Sequence, residues 1–153
     1  MKFVIATDEE RPVVEHLANV LRERGHEATV LPVTTWGAMA TDAAARVARG
    51  EFDQGIVCCW TGTGASIAAN KVRGIRAALC TDAQTAAGAR KWNDANVLAL
   101  SLRLVSEPLA TEILEAWLEA KYAGSEDESL AQLTRVESER EESASTSATT
   151  KPG

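Results

Sequence analysis

Histidine is almost missing from this chain of 153 residues, which holds only His16 and His26. The first lies midway along an amphipathic stretch and the second in a turn after Gly25, positions that suit a structural or solvated ring and disfavour a Cys–His hydrolase. Cysteine is scarce as well. Cys58, Cys59 and Cys80 are odd in number and none belongs to a CxxC pair, which argues against a disulfide framework or a zinc site and for reduced thiols. No apolar run reaches membrane-spanning length. The opening "MKFVIATDEE" meets acidic residues too soon for a signal peptide, so it reads as a first strand, and cytoplasm is the expected compartment. A surplus of positive charge is also lacking: the formal net charge is −6, which disfavours nucleic acid or an anionic membrane as partner. Much of that acidity sits near the C-terminus, so it says little about a pocket. The dinucleotide fingerprint is incomplete too. Position 67 is Ile where GxGxxG needs glycine, the glycine turn follows the third strand instead of the first, and only Asp82 offers an acid at a suitable distance.

What the chain does have is alternation. "KFVIATD" reads as a buried strand, and "PVVEHLANVLRERG" as an amphipathic helix with Pro12 in its first turn and Gly25 as its stop. "HEATVLPV" reads as a strand, and "TDAAARVARGE" as a helix capped by Thr41 or Asp42. "DQGIVCCW" is a continuous apolar strand of the kind buried on both faces. "GASIAANKV", "AQTAAGARKW" and "EPLATEILEAWLEAKY" read as helices, with "GIRAALCTD" and "ANVLALS" as the strands between them. Five strands alternating with helices predict an α/β fold: a Rossmann-like three-layer α/β/α domain on a five-stranded parallel sheet, spanning residues 1–124. Ligands of such sheets sit beyond the carboxyl ends of the strands, where Asp8, Cys59, Asp82 and the segment after "VLALS" fall. Residues 125–142 read as a polar extension able to form a helix, and 143–153, "SASTSATTKPG", as a disordered low-complexity tail.

The chemistry concentrates in "GIVCCWTGTGASIAANK". A strand, a Gly-Thr-Gly turn and a helix make an anion site, since the first helical N–H groups lack partners and the helix dipole favours negative charge. A turn with no ligand would look the same. Cys59 narrows the reading, because a thiol beside a helix N-terminus is favoured as thiolate and can act as base or nucleophile. Cys58 must face the other side of its strand and belongs to the core, as does Cys80. A thiolate next to a row of N–H donors suits removal of a proton from carbon beside a carbonyl, with the oxyanion held by backbone amides.

"GIVCCWTGTGASIAANKVRGIRAALCTD", with "RKWNDANVLALSLRLV" and "EILEAWLEAKYAG", resembles the ribose-5-phosphate isomerase B family, which includes the galactose-6-phosphate isomerase subunits. The resemblance covers residues 1–124 in unbroken order. It implies aldose–ketose isomerisation of sugar phosphates through a cis-enediolate, without metal or organic cofactor, in homodimers or homotetramers whose site lies where two subunits meet. Cys59 matches the family's base, the turn Trp60, Thr61, Gly62, Thr63, Gly64 matches the loop that holds the enediolate oxygen, and Thr61 helps orient substrate. Asn93 matches an amide that contacts the same oxygen, Asp8 an aspartate on sugar hydroxyls, and Arg103 a phosphate-binding arginine.

The periphery departs from the family pattern. Glu9 stands where the family has a histidine after the first aspartate, Trp92 where it has the ring-opening histidine, and Trp60 where glycine is usual. The Tyr-Pro expected after the second strand is Trp36-Gly37, and Glu126 replaces the first arginine of the family's tail. Arg135 in "TRVE" aligns with the second arginine once an insertion is allowed. Removing one partner of a buried charge pair costs about 3–5 kcal/mol, so losing cations and gaining Glu9 and Glu126 predicts weakened phosphate binding. The indoles of Trp60 and Trp92 offer surfaces for stacking, or simply fill volume at a subunit contact. Two functions follow: an isomerase of a sugar or sugar phosphate, its substrate either an ordinary pentose phosphate of the ribose 5-phosphate type or an altered one, or a non-catalytic sugar-binding or structural subunit. The stripe Leu109, Ile113, Leu114, Trp117 and Leu118 could serve an oligomer face or the core.

Overall fold

A computed structural model describes residues 1–149. Strands and helices alternate in the order β1 (Lys2–Thr7), α1 (Pro12–Glu23), β2 (Glu27–Val30), α2 (Trp36–Ala48), β3 (Gln54–Cys59), α3 (Thr63–Ala69), β4 (Ala77–Leu79), α4 (Ala83–Asn93), β5 (Val97–Ser101), α5 (Glu107–Glu119) and α6 (Asp127–Thr149). All five strands pair in parallel, in the order β2-β1-β3-β5-β4. The central strands β1, β3 and β5 are apolar and buried because helices cover both faces, whereas the edge strands β2 and β4 are only partly buried.

Side-chain alternation sends Phe3, Ile5, Ile56, Cys58, Leu98 and Leu100 to one face, against α1, α4 and α5. It sends Val4, Ala6, Val57, Cys59, Val97 and Ala99 to the other, against α2 and α3. The fold is therefore the three-layer α/β arrangement that the apolar runs predict. The α5 stripe is core: Ile113, Leu114 and Trp117 are buried, with Leu109 and Leu118 packed against the same cluster. Trp117 also ties α5 to the start of β3, its Nε1–H donating to Gln54 Oε1 at 2.6 Å inside the protein.

Three local expectations change. Helix α2 starts at Trp36, ahead of Thr41 and Asp42, because the Thr35 side chain accepts from the Ala38 amide and caps it. The last helix of the domain stops at Glu119 instead of reaching Tyr122. Residues 143–149 are helical where composition predicts disorder; α6 meets no glycine or proline between Asp127 and Thr149, and its hydroxyls bond back along the helix, as in Thr146 to Glu142 O and Ser147 to Ser143 O. Residues 150–153 of that expected tail lie outside the described residues. The chain divides into two compact units, Met1–Ala123 with the sheet and Gly124–Gly153 with α6.

Candidate active site

The connection leaving β1 runs to β2 on one side of the sheet, and the connection leaving β3 runs toward β4 and β5 on the other. A crevice opens between the carboxyl ends of two strands whose crossovers part in this way. Asp8 follows β1 and Cys59 ends β3, the two strands on either side of that switch point. Register places Thr7 opposite Cys58, and the Asp8 amide donates to the Cys58 carbonyl at 3.4 Å, so the two chain segments leave the sheet side by side.

The turn after Cys59 is held at several points. Cys59 O accepts from Gly62 N at 3.2 Å and from Leu102 N at 2.9 Å, while Trp60 O accepts from Arg103 N and from Ser101 Oγ, both at 2.9 Å. Gly62 has φ +75°, and a Cβ there would stand 2.5 Å from Leu79 Cδ1 and 2.9 Å from the Leu100 carbonyl carbon. Only glycine fits, which explains the residue type. The Gly62 amide is thus occupied by the Cys59 carbonyl. The amides of Thr63, Gly64 and Ala65 open α3 and have no carbonyl four residues back within it. They are the donors available to a developing oxyanion. The hydroxyls of Thr61 and Thr63 bond each other at 2.6 Å above them, and the indole of Trp36 lies against Gly64.

Cys59 itself is 5% exposed and packs with Ala6, Met39 and Ala65 on the α2–α3 side. Cys58 is fully buried on the opposite face, its thiol pushed up to about 12 by burial first and by Cys59 and Asp8 second. Cys80 is likewise pushed up to about 12, by burial and then by Asp82. Asp8 is half-buried, and desolvation, reinforced by Glu9, holds its carboxyl above the usual range despite a backbone hydrogen bond that acts the other way. Asp82 caps α4, its Oδ1 accepting from Thr85 N at 2.7 Å.

Glu9 is not a bare charge. Its carboxylate pairs with Arg11 at 2.9 Å, and the Arg11 guanidinium sits over the Trp60 ring, 5.4 Å from its centroid. In the sequence Arg11 is one residue of "DEERP", and its closeness to Asp8 is the only signal it carries there. His16 bonds Thr111 through Nε2 at 2.7 Å, and His26 stacks edge-on to Phe3. Both serve the scaffold.

Not all the candidate residues meet. Helix α4 runs back from the carboxyl end of β4, so Trp92 and Asn93 at its far end lie by the amino edge of the sheet. There Arg76 Nε donates to Asp94 O at 2.8 Å and Asn96 N donates to Arg76 O at 3.0 Å. Strand β3, with 6 residues, separates that edge from Cys59 by about 20 Å. Trp92 is exposed, its ring over Gly88 of its own helix. Arg103 is exposed at the Cys59 edge, and Arg135 is an exposed residue of α6 in the second unit. Among the described residues no group of three or more His, Cys, Asp and Glu could hold a metal ion, and no helix is long and apolar enough to cross a membrane.

A family model described as Ribose/Galactose Isomerase matches residues 3–134. The chain belongs to this ribose/galactose isomerase family. Ribose-5-phosphate isomerase B of Escherichia coli is 42% identical over 136 residues, covering 84% of this chain and 87% of that protein. D-erythrulose-4-phosphate isomerase of Pectobacterium atrosepticum is 51% identical over 75 residues, 49% of each. Among solved structures, ribose-5-phosphate isomerase B of Clostridium thermocellum superposes with a TM-score of 0.87 at 37% identity, over 92% of this chain and 99% of that one. Within the ribose/galactose isomerases the first two of these relatives are named for different sugar phosphates.

Proposed function

We propose that this protein is an aldose–ketose isomerase of a sugar phosphate, of the ribose 5-phosphate and ribulose 5-phosphate type, with Cys59 as the base. The observation that carries the reading is the junction of β3 and α3. There a thiol at the strand end is followed by a glycine-enforced turn and by the acceptorless amides of Thr63, Gly64 and Ala65. The Cys59 thiolate takes the proton from C2 of the open-chain aldose and the C1 carbonyl oxygen becomes an enediolate oxygen held by those amides; the thiol then returns the proton to C1 while the O2 hydroxyl proton passes to O1, leaving the ketose carbonyl at C2. Thr61 orients the substrate, Asp8 accepts from sugar hydroxyls, and Arg103 holds the phosphate. No external oxidant or reductant is needed.

Asn93 and Trp92 take part from a second copy of the chain, because their own edge of the sheet is remote from their own Cys59. A homodimer, or a homotetramer of two such pairs, is the assembly this reading requires. The near-complete burial of Cys59 favours a second reading, a non-catalytic sugar-binding subunit.

The experiment is isomerisation of a panel of phosphorylated and plain aldoses by the purified protein, followed by complementation. Inactive Cys59→Ala and Asn93→Ala proteins, dissociated and reassociated together, should regain part of the wild-type rate, since half of the mixed dimer's sites carry neither change. Failure to regain any rate in demonstrably mixed dimers would contradict a shared site.

A further inference from the structure

We propose that Arg11 receives the anionic group of the substrate and that Glu9 holds its place when the site is empty. The inference rests on the isomerase reading and names its substrate class: a sugar carrying a phosphate.

Four observations converge on Arg11. It lies in the loop between β1 and α1, three residues after Asp8, at the carboxyl edge of the sheet beside the switch point between β1 and β3. Its guanidinium lies over the ring of Trp60, the residue that directly follows Cys59, which fixes the charge beside the reaction centre. The Trp60 main-chain carbonyl accepts from the Arg103 amide at 2.9 Å, so the backbones of residues 60 and 103 are also joined at this edge. Arg11 is also the N-cap of α1, a 12-residue helix with no side-chain cap, so an anion beside it meets the positive end of the helix dipole as well.

The pairing with Glu9 has the properties of a placeholder. Both side chains are partly exposed, 39% and 49%, and exposed ion pairs contribute little to stability. Such a pair opens at small cost when a better anion arrives. A phosphate dianion offers more charge and more acceptor oxygens than one carboxylate, and the guanidinium's planar fork suits it. Beyond Glu9 and the Trp60 face, the Arg11 guanidinium has no further partner among the described residues. The sequence expectation that Glu9 would repel phosphate therefore changes: Glu9 and Arg11 together are neutral, and release of Arg11 exposes a cation where the family has a histidine.

Calorimetric titration of ribose 5-phosphate and of ribose, into wild type, Arg11→Gln and Glu9→Gln, tests this. Arg11→Gln should weaken ribose 5-phosphate at least about tenfold while leaving ribose within about twofold, as loss of charge-assisted bonds to one phosphate requires. Glu9→Gln should strengthen ribose 5-phosphate several-fold by freeing Arg11. A pair that only braced the loop would weaken binding in both variants, so opposite signs are diagnostic. Unchanged ribose 5-phosphate affinity in Arg11→Gln, or no ribose 5-phosphate binding by wild type, would overturn the assignment. Isomerisation rates on the same samples keep the two claims apart. Wild type that binds with the predicted Arg11 dependence yet does not isomerise overturns the catalytic reading alone.

Discussion

The indole of Trp36, the first residue of α2, lies so close to Gly64 that a Cβ at position 64 would stand 2.9 Å from its ring. The starts of α2 and α3 thereby meet on the face of the sheet where Cys59 packs with Met39 and Ala65. Gly64→Ala should displace the indole, lower stability by about 1–3 kcal/mol through overpacking, and slow turnover. Trp36→Ala in the same chain should relieve most of that cost. Thermal melts of the two single variants and the double variant give the coupling; an equal cost of Gly64→Ala with and without Trp36 would contradict the contact.

The three thiols should differ in reactivity. Cys58 and Cys80 are buried, with thiols pushed up to about 12, so at pH 8 almost none of either is ionised. Iodoacetamide should modify Cys59 first, and Cys59→Ala should remain unlabelled over the same period. Fast labelling of Cys58 or Cys80 in folded protein would contradict this. The linked effect on stability has a definite sign. Both folded values lie above the ordinary thiol value of 9.0, so the contribution is full below about pH 9 and is lost as the pH rises toward about 12.

The buried bond from Trp117 to Gln54 should matter more than its single hydrogen bond suggests. Trp117→Phe leaves Gln54 Oε1 inside the protein without its donor, which costs about 1–3 kcal/mol before the lost ring volume is counted. Pairing it with Gln54→Leu should cost less than Trp117→Phe alone, as denaturant unfolding would register. A double variant as unstable as the sum of the singles would contradict the role of that orphaned oxygen.

Much of the fold is legible because buried parallel strands are plain apolar runs and a helix such as α1 begins and ends at recognisable residues, Pro12 and Gly25. The start of α2 is not legible because a capping threonine followed by Trp36-Gly37 looks like loop, and its worth appears only once Trp36 finds Gly64. The helical 143–149 segment was missed because serine and threonine suggest disorder, although their hydroxyls bond within α6. The Cys59 turn was readable, since its glycines stand next to one another in the chain. The opposed positions of Cys59 and Asn93 were not, because a resemblance aligns residues without saying which copy supplies them. Arg11 is silent in the sequence for a similar reason: its meaning comes from Trp60, far away in sequence, over whose ring its guanidinium lies.

The most direct measurement is proton exchange at substrate carbon. In deuterium oxide, wild-type protein given a sugar phosphate it isomerises should place solvent deuterium at C1 or C2, read by proton NMR, and Cys59→Ala should place none while still binding the sugar. Exchange that persists in Cys59→Ala would contradict the central assignment and move the base to another residue of the crevice.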